Sequence, residues 1–274
     1  MSARIQNGTV RLHGDTMHYI RFGSGAKTLV VLPGLGDGLT TVKGKALPMA
    51  FLYRAFARAY TVYMFSRKNH LSQGCSTRDM ARDLKEALDA LGVARADLLG
   101  VSMGGMIAQH FAADYPESAG RLVLAVTCAG PPPVLADSIG EWTALARRGD
   151  HTAFMDSNVR RMYSDAYYRR NRWLIPIMGR LTRPRSYERF FIQADACLTH
   201  DAQDRLPQIT APTLVIGGEQ DRVLGADASR AIAAAIPGAR LHMYSEWGHG
   251  LYEEAGDFNQ IVLSFLLEGW RPAA

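Results

Sequence analysis

Residues 100–105, Gly100-Val101-Ser102-Met103-Gly104-Gly105, place a serine between closely spaced glycines directly after a short apolar run. The pattern predicts a buried strand over Ala96–Val101 and a helix over Met103–Tyr115. A serine on so sharp a strand-to-helix turn takes a strained backbone, so the positions two residues before and after it must be small. The turn therefore predicts that the hydroxyl of Ser102 stands above a sheet edge and faces a cleft.

Short apolar runs alternate with helical patterns along most of the chain. Eight runs are predicted as strands: Thr9–His13, Met17–Phe22, Thr28–Leu32, Tyr60–Phe65, Ala96–Val101, Arg121–Val126, Pro212–Gly218 and Arg240–Tyr244. The first two flank the turn residues Gly14-Asp15 and predict a hairpin. The others are continuous and rich in branched residues, which is typical of a parallel sheet covered on both faces. Four helical patterns favour βαβ units, at Thr77–Leu91, Met103–Tyr115, Ala228–Ile236 and Phe258–Leu267.

The alternation stops after Gly130-Pro131-Pro132-Pro133 and resumes at Pro212. From about residue 139 to 206 the chain is helical in character and offers no clear strand. We therefore predict a helical insertion over residues 134–206, between the sixth and seventh strands. Residues 1–133 and 207–274 then form one α/β core domain, which suits a chain of 274 residues.

Composition narrows the class of protein. No apolar run reaches the 18 or so residues of a membrane span, and the N-terminus has no signal-peptide core. Cys75, Cys128 and Cys197 fit no metal-ligand spacing and are interpreted as free thiols, packed in or near the core, in a reducing compartment. We expect a cytoplasmic protein with no membrane partner and no bound metal.

The net charge of +5 lies mostly in the predicted insertion. Residues 141–205 hold twelve arginines and eight acidic residues. No nucleic-acid recognition motif accompanies this surplus, so no nucleic-acid partner is expected. A solvated basic helix surface is the main interpretation, and an entrance that attracts anions is the alternative.

A serine nucleophile needs a base within hydrogen-bond reach, and His249 is the best candidate of eight histidines. It follows the last predicted strand in Glu246-Trp247-Gly248-His249-Gly250, where glycines let the imidazole approach other backbone. His110 and His242 fall inside a helix and a strand and are expected to be packed or at the surface. His70 follows the fourth predicted strand and is a candidate substrate contact.

The base needs a carboxylate that fixes its tautomer. Asp221 follows the strand ending in Gly217-Gly218, at the sheet edge where sites of parallel sheets collect. Glu219 is a weaker candidate, and Asp227 is predicted to cap the next helix.

Acyl transfer also needs donors for the tetrahedral oxyanion. The backbone N–H of Met103, beside the nucleophile, is one candidate. The turn Pro33-Gly34-Leu35-Gly36 supplies another, most directly the N–H of Leu35. A simple tight turn is the alternative for this segment.

With these residues assembled, the chain resembles the α/β-hydrolase superfamily, in the group with a helical cap. Ser102, Asp221 and His249 occur in that superfamily's order, each after the expected strand. The resemblance implies an α/β-hydrolase fold: a mostly parallel eight-stranded sheet, helices on both faces, an inserted helical cap, and no cofactor.

The sequence departs from common family patterns at two loops. Many relatives carry His-Gly where this chain has Pro33-Gly34, and relatives often carry Asp-x-Arg-Gly-x-Gly-x-Ser where it has residues 65–72 without those glycines. Substrate assignments from relatives therefore do not transfer directly. A serine nucleophile argues against haloalkane dehalogenases and epoxide hydrolases, which use a carboxylate.

We predict a serine hydrolase that cleaves a carboxylic ester, lactone or thioester of a small-molecule substrate through an acyl-enzyme on Ser102. Apolar and aromatic residues between Met155 and Met178 offer surface for an acyl pocket, although such residues more often pack a cap. The same triad also serves C–C bond hydrolases, amidases or peptidases, acyltransferases and cofactor-free lyases. A ligand-binding protein with a vestigial triad is the alternative from another class. The sequence leaves the oligomeric state open, a homodimer included.

Overall fold

The computed structural model describes residues 5–268. Within them, eight strands form one sheet: Gln6–Leu12 (β1), Asp15–Phe22 (β2), Lys27–Leu32 (β3), Tyr60–Lys68 (β4), Ala96–Val101 (β5), Ala119–Ala125 (β6), Thr213–Gly218 (β7) and Arg240–Tyr244 (β8). Their order is β1-β2-β4-β3-β5-β6-β7-β8. β2 pairs antiparallel with β1 and β4, and the other described pairs are parallel. The predicted, mostly parallel sheet with an antiparallel hairpin at one end is confirmed.

Helices connect and cover these strands. Those in the described part of the chain are Ala46–Leu52 (α1), Thr77–Ala90 (α2), Met103–Asp114 (α3), Pro133–Arg147 (α4), His151–Met162 (α5), Asp165–Asn171 (α6), Ile175–Leu181 (α7), Glu188–Leu198 (α8), Ala226–Ala235 (α9), Leu251–Glu254 (α10) and Phe258–Glu268 (α11). Short 3-10 helices include Leu35–Gly38 and Arg172–Leu174. In none of the helices between residues 5 and 268 is there an apolar stretch long enough to cross a bilayer.

The central strands of the sheet are buried on both faces because they are apolar along most of their length, whereas the edge strands β1 and β8 are partly exposed. In β3, Val30 and Leu32 point into a core with α2 and α3, while Leu29 and Val31 point into a second core with α1 and α11. All four are at most 3% exposed. The period-two alternation of a strand thus supplies two apolar layers from one continuous run.

The hairpin turn differs from the predicted one, and two short helices were not predicted. β2 begins at Asp15, so the hairpin turn is His13-Gly14 and not Gly14-Asp15. Gly14 has a φ of +76°, which a residue with a side chain rarely adopts. The short helices α1 and α10 were not predicted from the sequence, because seven and four residues are too few to show a helical period.

Helices α4 to α8 all lie between β6 and β7, and that stretch contains no described strand. The insertion packs over the carboxyl-terminal side of the sheet. Phe190 of α8, for example, lies against Gly38, where an added Cβ would be 2.7 Å from the Cα of Phe190. This packing brings the insertion over the turn that follows β3.

Candidate active site

Ser102 lies between β5 and α3 with a φ of 53° and a ψ of −122°. A non-glycine residue with positive φ is uncommon and is retained only where its surroundings impose it. Here the surroundings leave no space for side chains. A Cβ on Gly104 would lie 2.0 Å from the carbonyl oxygen of Leu32, and one on Gly100 would lie 2.6 Å from that of Gly104. The two glycines let α3 pack directly on the sheet.

The structure brings Ser102, His249 and Asp221 together. The Oγ of Ser102 lies 3.0 Å from Nε2 of His249, and Nδ1 of His249 lies 2.9 Å from Oδ2 of Asp221. The side chains of His249 and Asp221 are only 3% and 4% exposed. An ionised carboxylate can only accept, so Nδ1 carries the proton and Nε2 is left to accept from the serine hydroxyl.

Asp221 is held in its ionised form. Burial raises the pKa of its carboxyl, but His249 and the backbone N–H groups of Leu224 and Val223 lower it by more, so the pKa falls below its ordinary value. The two N–H groups donate to Oδ1 at 2.9 and 2.8 Å. Both oxygens are therefore engaged, one by the imidazole and one by the loop, which fixes the orientation of the carboxylate.

The loops after β7 and β8 support each other. The N–H of Gln220 donates to the carbonyl of Trp247 at 3.2 Å. A Cβ on Gly248 would lie 2.7 Å from the carbonyl oxygen of Gln220. The glycine before His249 thus lets the two loops touch, as the sequence predicted from its position.

The other candidate acids point elsewhere. Glu219 pairs with Arg230. Asp227 was predicted to cap a helix starting at Ala228, and this is wrong: α9 begins at Ala226 with Gly225 at its cap. Asp227 lies within the first turn, fully exposed.

His70 does not reach the site. Its side chain is 90% exposed, and its Nδ1 lies 3.0 Å from Oδ1 of Asp15, outside the cavity. The expectation of a substrate contact there is wrong, because the hairpin end holds this loop at the surface. His110 and His242 lie in α3 and β8 as expected.

Leu35 lines the cavity together with Ser102, and Met103 directly follows Ser102 in the chain. Each is the first residue of a helix, so its N–H has no acceptor within that helix. Neither N–H donates to another backbone or side-chain group within residues 5–268. Gly34, just before Leu35, lies close to the nucleophile: an added Cβ would be 3.7 Å from the Oγ of Ser102.

A cavity of about 360 Å³ opens above Ser102 and His249. The turn after β3, α1, the insertion and α10 all line it, and most lining side chains are apolar. Met155, Met162 and Tyr163 of the insertion lie in its wall, as proposed from the sequence. Trp173 and Ile177, from the same predicted surface, point to solvent instead. Within the described chain, no group of three or more His, Cys, Asp or Glu side chains is placed to hold a metal ion.

Two charged residues of the wall were missed by sequence reasoning. Lys45 precedes α1, and burial lowers the pKa of its ammonium group, while Asp37 opposes this. Glu253 of α10 accepts a hydrogen bond from the hydroxyl of Tyr163 at 2.7 Å. It is open to the cavity but surrounded by protein, and this desolvation raises the pKa of its carboxyl. Neither lies in a motif, so no local signal identified them.

A buried ionic group under the Leu35 turn was also missed. Asp37 has a fully buried carboxylate that accepts from the backbone N–H of Arg67 and from Nη2 of Arg189, each at 3.1 Å. Arg67 also donates to the carbonyl of Pro33 at 2.6 Å. The arginine retained in residues 65–72 was the sequence signal for this group.

Comparison with known proteins agrees with this fold. Residues 29–261 match the model of the alpha/beta hydrolase family. The chain belongs to this family, and it is a hydrolase; the resemblance inferred from the sequence is confirmed.

The chain is also similar to individual hydrolases of known sequence or structure. The chain is 34% identical to the 2-hydroxy-6-oxononadienedioate/2-hydroxy-6-oxononatrienedioate hydrolase of Paraburkholderia phymatum, over 93% of each chain. An alpha/beta hydrolase from a Medee basin deep-sea metagenome library superposes with a TM-score of 0.82, at 20% identity over 97% of this chain and 99% of that one. The enol-lactonase from Burkholderia xenovorans LB400 superposes with a TM-score of 0.79, at 24% identity over 95% and 100%. The two superpositions establish the shared fold.

Proposed function

We propose that this chain is a serine hydrolase of small carboxylic esters or lactones, thioesters included. The observation that carries the proposal is the contact between the Oγ of Ser102 and Nε2 of His249, 3.0 Å apart at the base of a largely apolar cavity. In this assignment Ser102 is the nucleophile, His249 the base and Asp221 the residue that orients it.

The reaction proceeds in two halves. Oγ of Ser102 attacks the substrate carbonyl carbon while its proton moves to Nε2 of His249, and the N–H groups of Leu35 and Met103 receive the oxyanion. The C–O bond then breaks, and His249 returns the proton to the leaving alkoxide. A water molecule then attacks the acyl-enzyme in the same way, with His249 as the base, and the acid is released. No cofactor enters either half.

The charged residues of the cavity wall offer little that would bind an acidic substrate. Asp37 is offset within the protein by the guanidinium groups of Arg67 and Arg189, neither of which lines the wall. Lys45 and Glu253 remain, one of each sign, so the wall offers a carboxylate one attractive and one repulsive group. A substrate with two carboxylates meets no cationic pair among the described wall residues.

A second candidate follows from the names of the relatives. A 2-hydroxy-6-oxo-dienedioate has carboxylates, an enol and a ketone but no ester or amide, so its hydrolysis breaks a C–C bond. The relative from P. phymatum carries this substrate in its name at 34% identity. C–C hydrolysis with the same three residues is therefore the alternative function.

The test is a substrate panel on wild type and Ser102→Ala. We expect kcat/KM for p-nitrophenyl esters and a γ-lactone to exceed that for the dienedioate at least tenfold. The variant should lose at least about 10³-fold of ester turnover while keeping its circular dichroism spectrum. Faster turnover of the dienedioate would establish the C–C function instead. Equal ester turnover by both proteins, with no fluorophosphonate adduct on Ser102, would refute the nucleophile assignment.

We also propose that residues 134–206 act as a cap over a core of residues 1–133 and 207–274. Wall residues from α4, α5 and α8, such as Leu135, Met162 and Phe190, support this assignment. The unpaired thiols of Cys75, Cys128 and Cys197 support a reducing, cytoplasmic location.

A further inference from the structure

An apolar stripe on the insertion is exposed among residues 5–268. Trp173, Ile177 and Leu181 are spaced four residues apart along the helical stretch 172–181, so they share one face. They are 66%, 48% and 76% exposed. Gly179, on the opposite face, packs against α5, where an added Cβ would lie 2.8 Å from the Cα of Thr152. The stripe is therefore directed at solvent.

Six arginines lie in the same segment of the chain as this stripe. Residues 166–187 contain no acidic residue and six arginines, all exposed: Arg169, Arg170, Arg172, Arg180, Arg183 and Arg185. None of the six forms an ion pair or a hydrogen bond among residues 5–268. Other arginines of the insertion are paired, as Arg160 is with Asp156 at 2.6 Å. The segment that carries the stripe thus holds six exposed arginines without an ion-pair partner among the described residues.

We propose that this face of the insertion docks on the surface of an anionic phospholipid bilayer. An exposed apolar stripe flanked by arginines is the pattern of a helix that lies in the membrane interface. Trp173, Ile177 and Leu181 enter the boundary between headgroups and acyl chains, and the guanidinium groups bind lipid phosphates. Docking would bring this hydrolase to a phase in which apolar esters concentrate.

Charge complementarity favours a lipid surface over a second copy of the chain. A symmetric dimer through this face would bring two sets of six unpaired arginines together, and like charges across an interface are strongly unfavourable. An anionic bilayer instead offers phosphates over the whole area of the face. Single exposed apolar residues are common on proteins, but a contiguous stripe marks an interaction surface.

The experiment is co-sedimentation with vesicles. One set contains phosphatidylglycerol and phosphatidylcholine in equal amounts, and the other contains phosphatidylcholine alone. We expect wild type to sediment with the anionic vesicles only. The variants Trp173→Ala/Ile177→Ser/Leu181→Ser and Arg180→Gln/Arg183→Gln/Arg185→Gln should each bind at least tenfold more weakly.

Matched controls change the same residue types elsewhere. Leu47 and Phe51 of α1 are 71% and 70% exposed, so Leu47→Ser/Phe51→Ser matches the stripe variant. Arg58→Gln/Arg95→Gln/Arg240→Gln matches the charge variant. Both should bind like wild type, and turnover of a soluble ester should be unchanged in every variant, which separates loss of docking from loss of folding or of the proposed activity.

Three outcomes would overturn the proposal: equal binding of wild type to both kinds of vesicle, equal losses in variants and controls, or no binding at all. If the protein does not bind vesicles, sedimentation velocity measures its oligomeric state. A wild-type dimer that the stripe variant converts to monomers would assign the face to a second copy.

Discussion

Arg189 of helix α8 reaches the buried carboxylate of Asp37, with Nη2 3.1 Å from Oδ2 and Nη1 3.0 Å from the backbone oxygen of the same residue. Asp37 lies two residues after Leu35, so the insertion directly holds the turn that we propose as an oxyanion donor. The position of the insertion and that of the proposed donor are therefore linked through Arg189, in addition to the packing of Phe190 on Gly38.

Replacing Arg189 tests this link. Because Arg189→Met leaves a buried carboxylate with one partner fewer, we expect a loss of about 3 kcal/mol in the free energy of unfolding. We also expect kcat to fall more than KM rises, because the Leu35 N–H shifts. Urea denaturation and steady-state ester kinetics measure the two effects. Arg160→Met removes an exposed ion pair of the same insertion and should leave the free energy of unfolding nearly unchanged. Equal effects of the two substitutions would contradict the link.

Gly34 and Gly36 lie in the same turn, but an added side chain would meet different surroundings at the two positions. A Cβ on Gly34 would lie 3.3 Å from the Cβ of Ser102 and intrude where the substrate carbonyl must sit, whereas one on Gly36 would contact nothing within 4 Å. Gly34 has a φ of −71°, so alanine fits its backbone. We expect Gly34→Ala to lower kcat/KM at least about tenfold without changing Tm, and Gly36→Ala to leave both unchanged. A normal rate in Gly34→Ala would place the reacting carbonyl elsewhere.

Asp221→Asn should retain the fold and lose about 10³- to 10⁴-fold of kcat, since an amide no longer selects the required imidazole tautomer. Because the pKa of Asp221 lies below its ordinary value, the carboxylate stays ionised throughout the working range. The acid side of the wild-type rate profile should therefore not reflect its titration. Rates measured from pH 5 to 9 check both points, and Glu219→Gln is the control that should keep full activity.

Glu253→Gln should change substrate preference. Burial raises the pKa of this carboxyl, so its negative charge grows with rising pH and repels acyl groups that end in a carboxylate most strongly in alkaline solution. We expect kcat/KM for a p-nitrophenyl glutarate monoester to rise about tenfold, with little change for the butyrate. Glu254→Gln is the control, because Glu254 bonds Ser164 and lies outside the cavity wall. An equal rise for both esters would remove Glu253 from specificity.

His200 links the end of the insertion to α2 and should make stability pH-dependent. Burial lowers its pKa from 6.5 to about 3, and Nδ1 lies 2.8 Å from the hydroxyl of Thr77. Below pH 6.5 the unfolded chain binds a proton there that the folded chain does not, so stability falls with falling pH until about pH 3. We expect His200→Gln to remove about 3 kcal/mol of the loss that wild type shows between pH 6.5 and 4. Urea titrations at several pH values measure it, with the exposed His13→Gln as control. An unchanged pH slope would contradict this account.

The features that depend on residues close together in the sequence could be predicted. The strands, the turn at Ser102, and the positions of Asp221 and His249 after β7 and β8 all follow from runs and glycines that lie within a few residues of each other. The contact of Arg189 with Asp37 joins residues 152 positions apart, and Glu253 enters the cavity on a four-residue helix. Neither the Arg189–Asp37 contact nor the position of Glu253 is marked by a periodicity or a motif in the nearby sequence. The surface around Trp173 was interpreted as pocket lining for the same reason, since an amphipathic pattern shows that a helix has an apolar face but not what that face meets.

The close packing of α3 on the sheet at Gly104 has a consequence for engineering. Since Gly104 rests on the backbone of Leu32, the reactive hydroxyl is positioned by main-chain packing that does not involve residues 134–206. The nucleophile is thus positioned by the core, whereas the proposed oxyanion turn also depends on Arg189 of the insertion. Exchanging residues 134–206 for the insertion of another hydrolase is a route to new substrates if an arginine is kept at position 189, while a larger residue at Gly104 would displace the nucleophile.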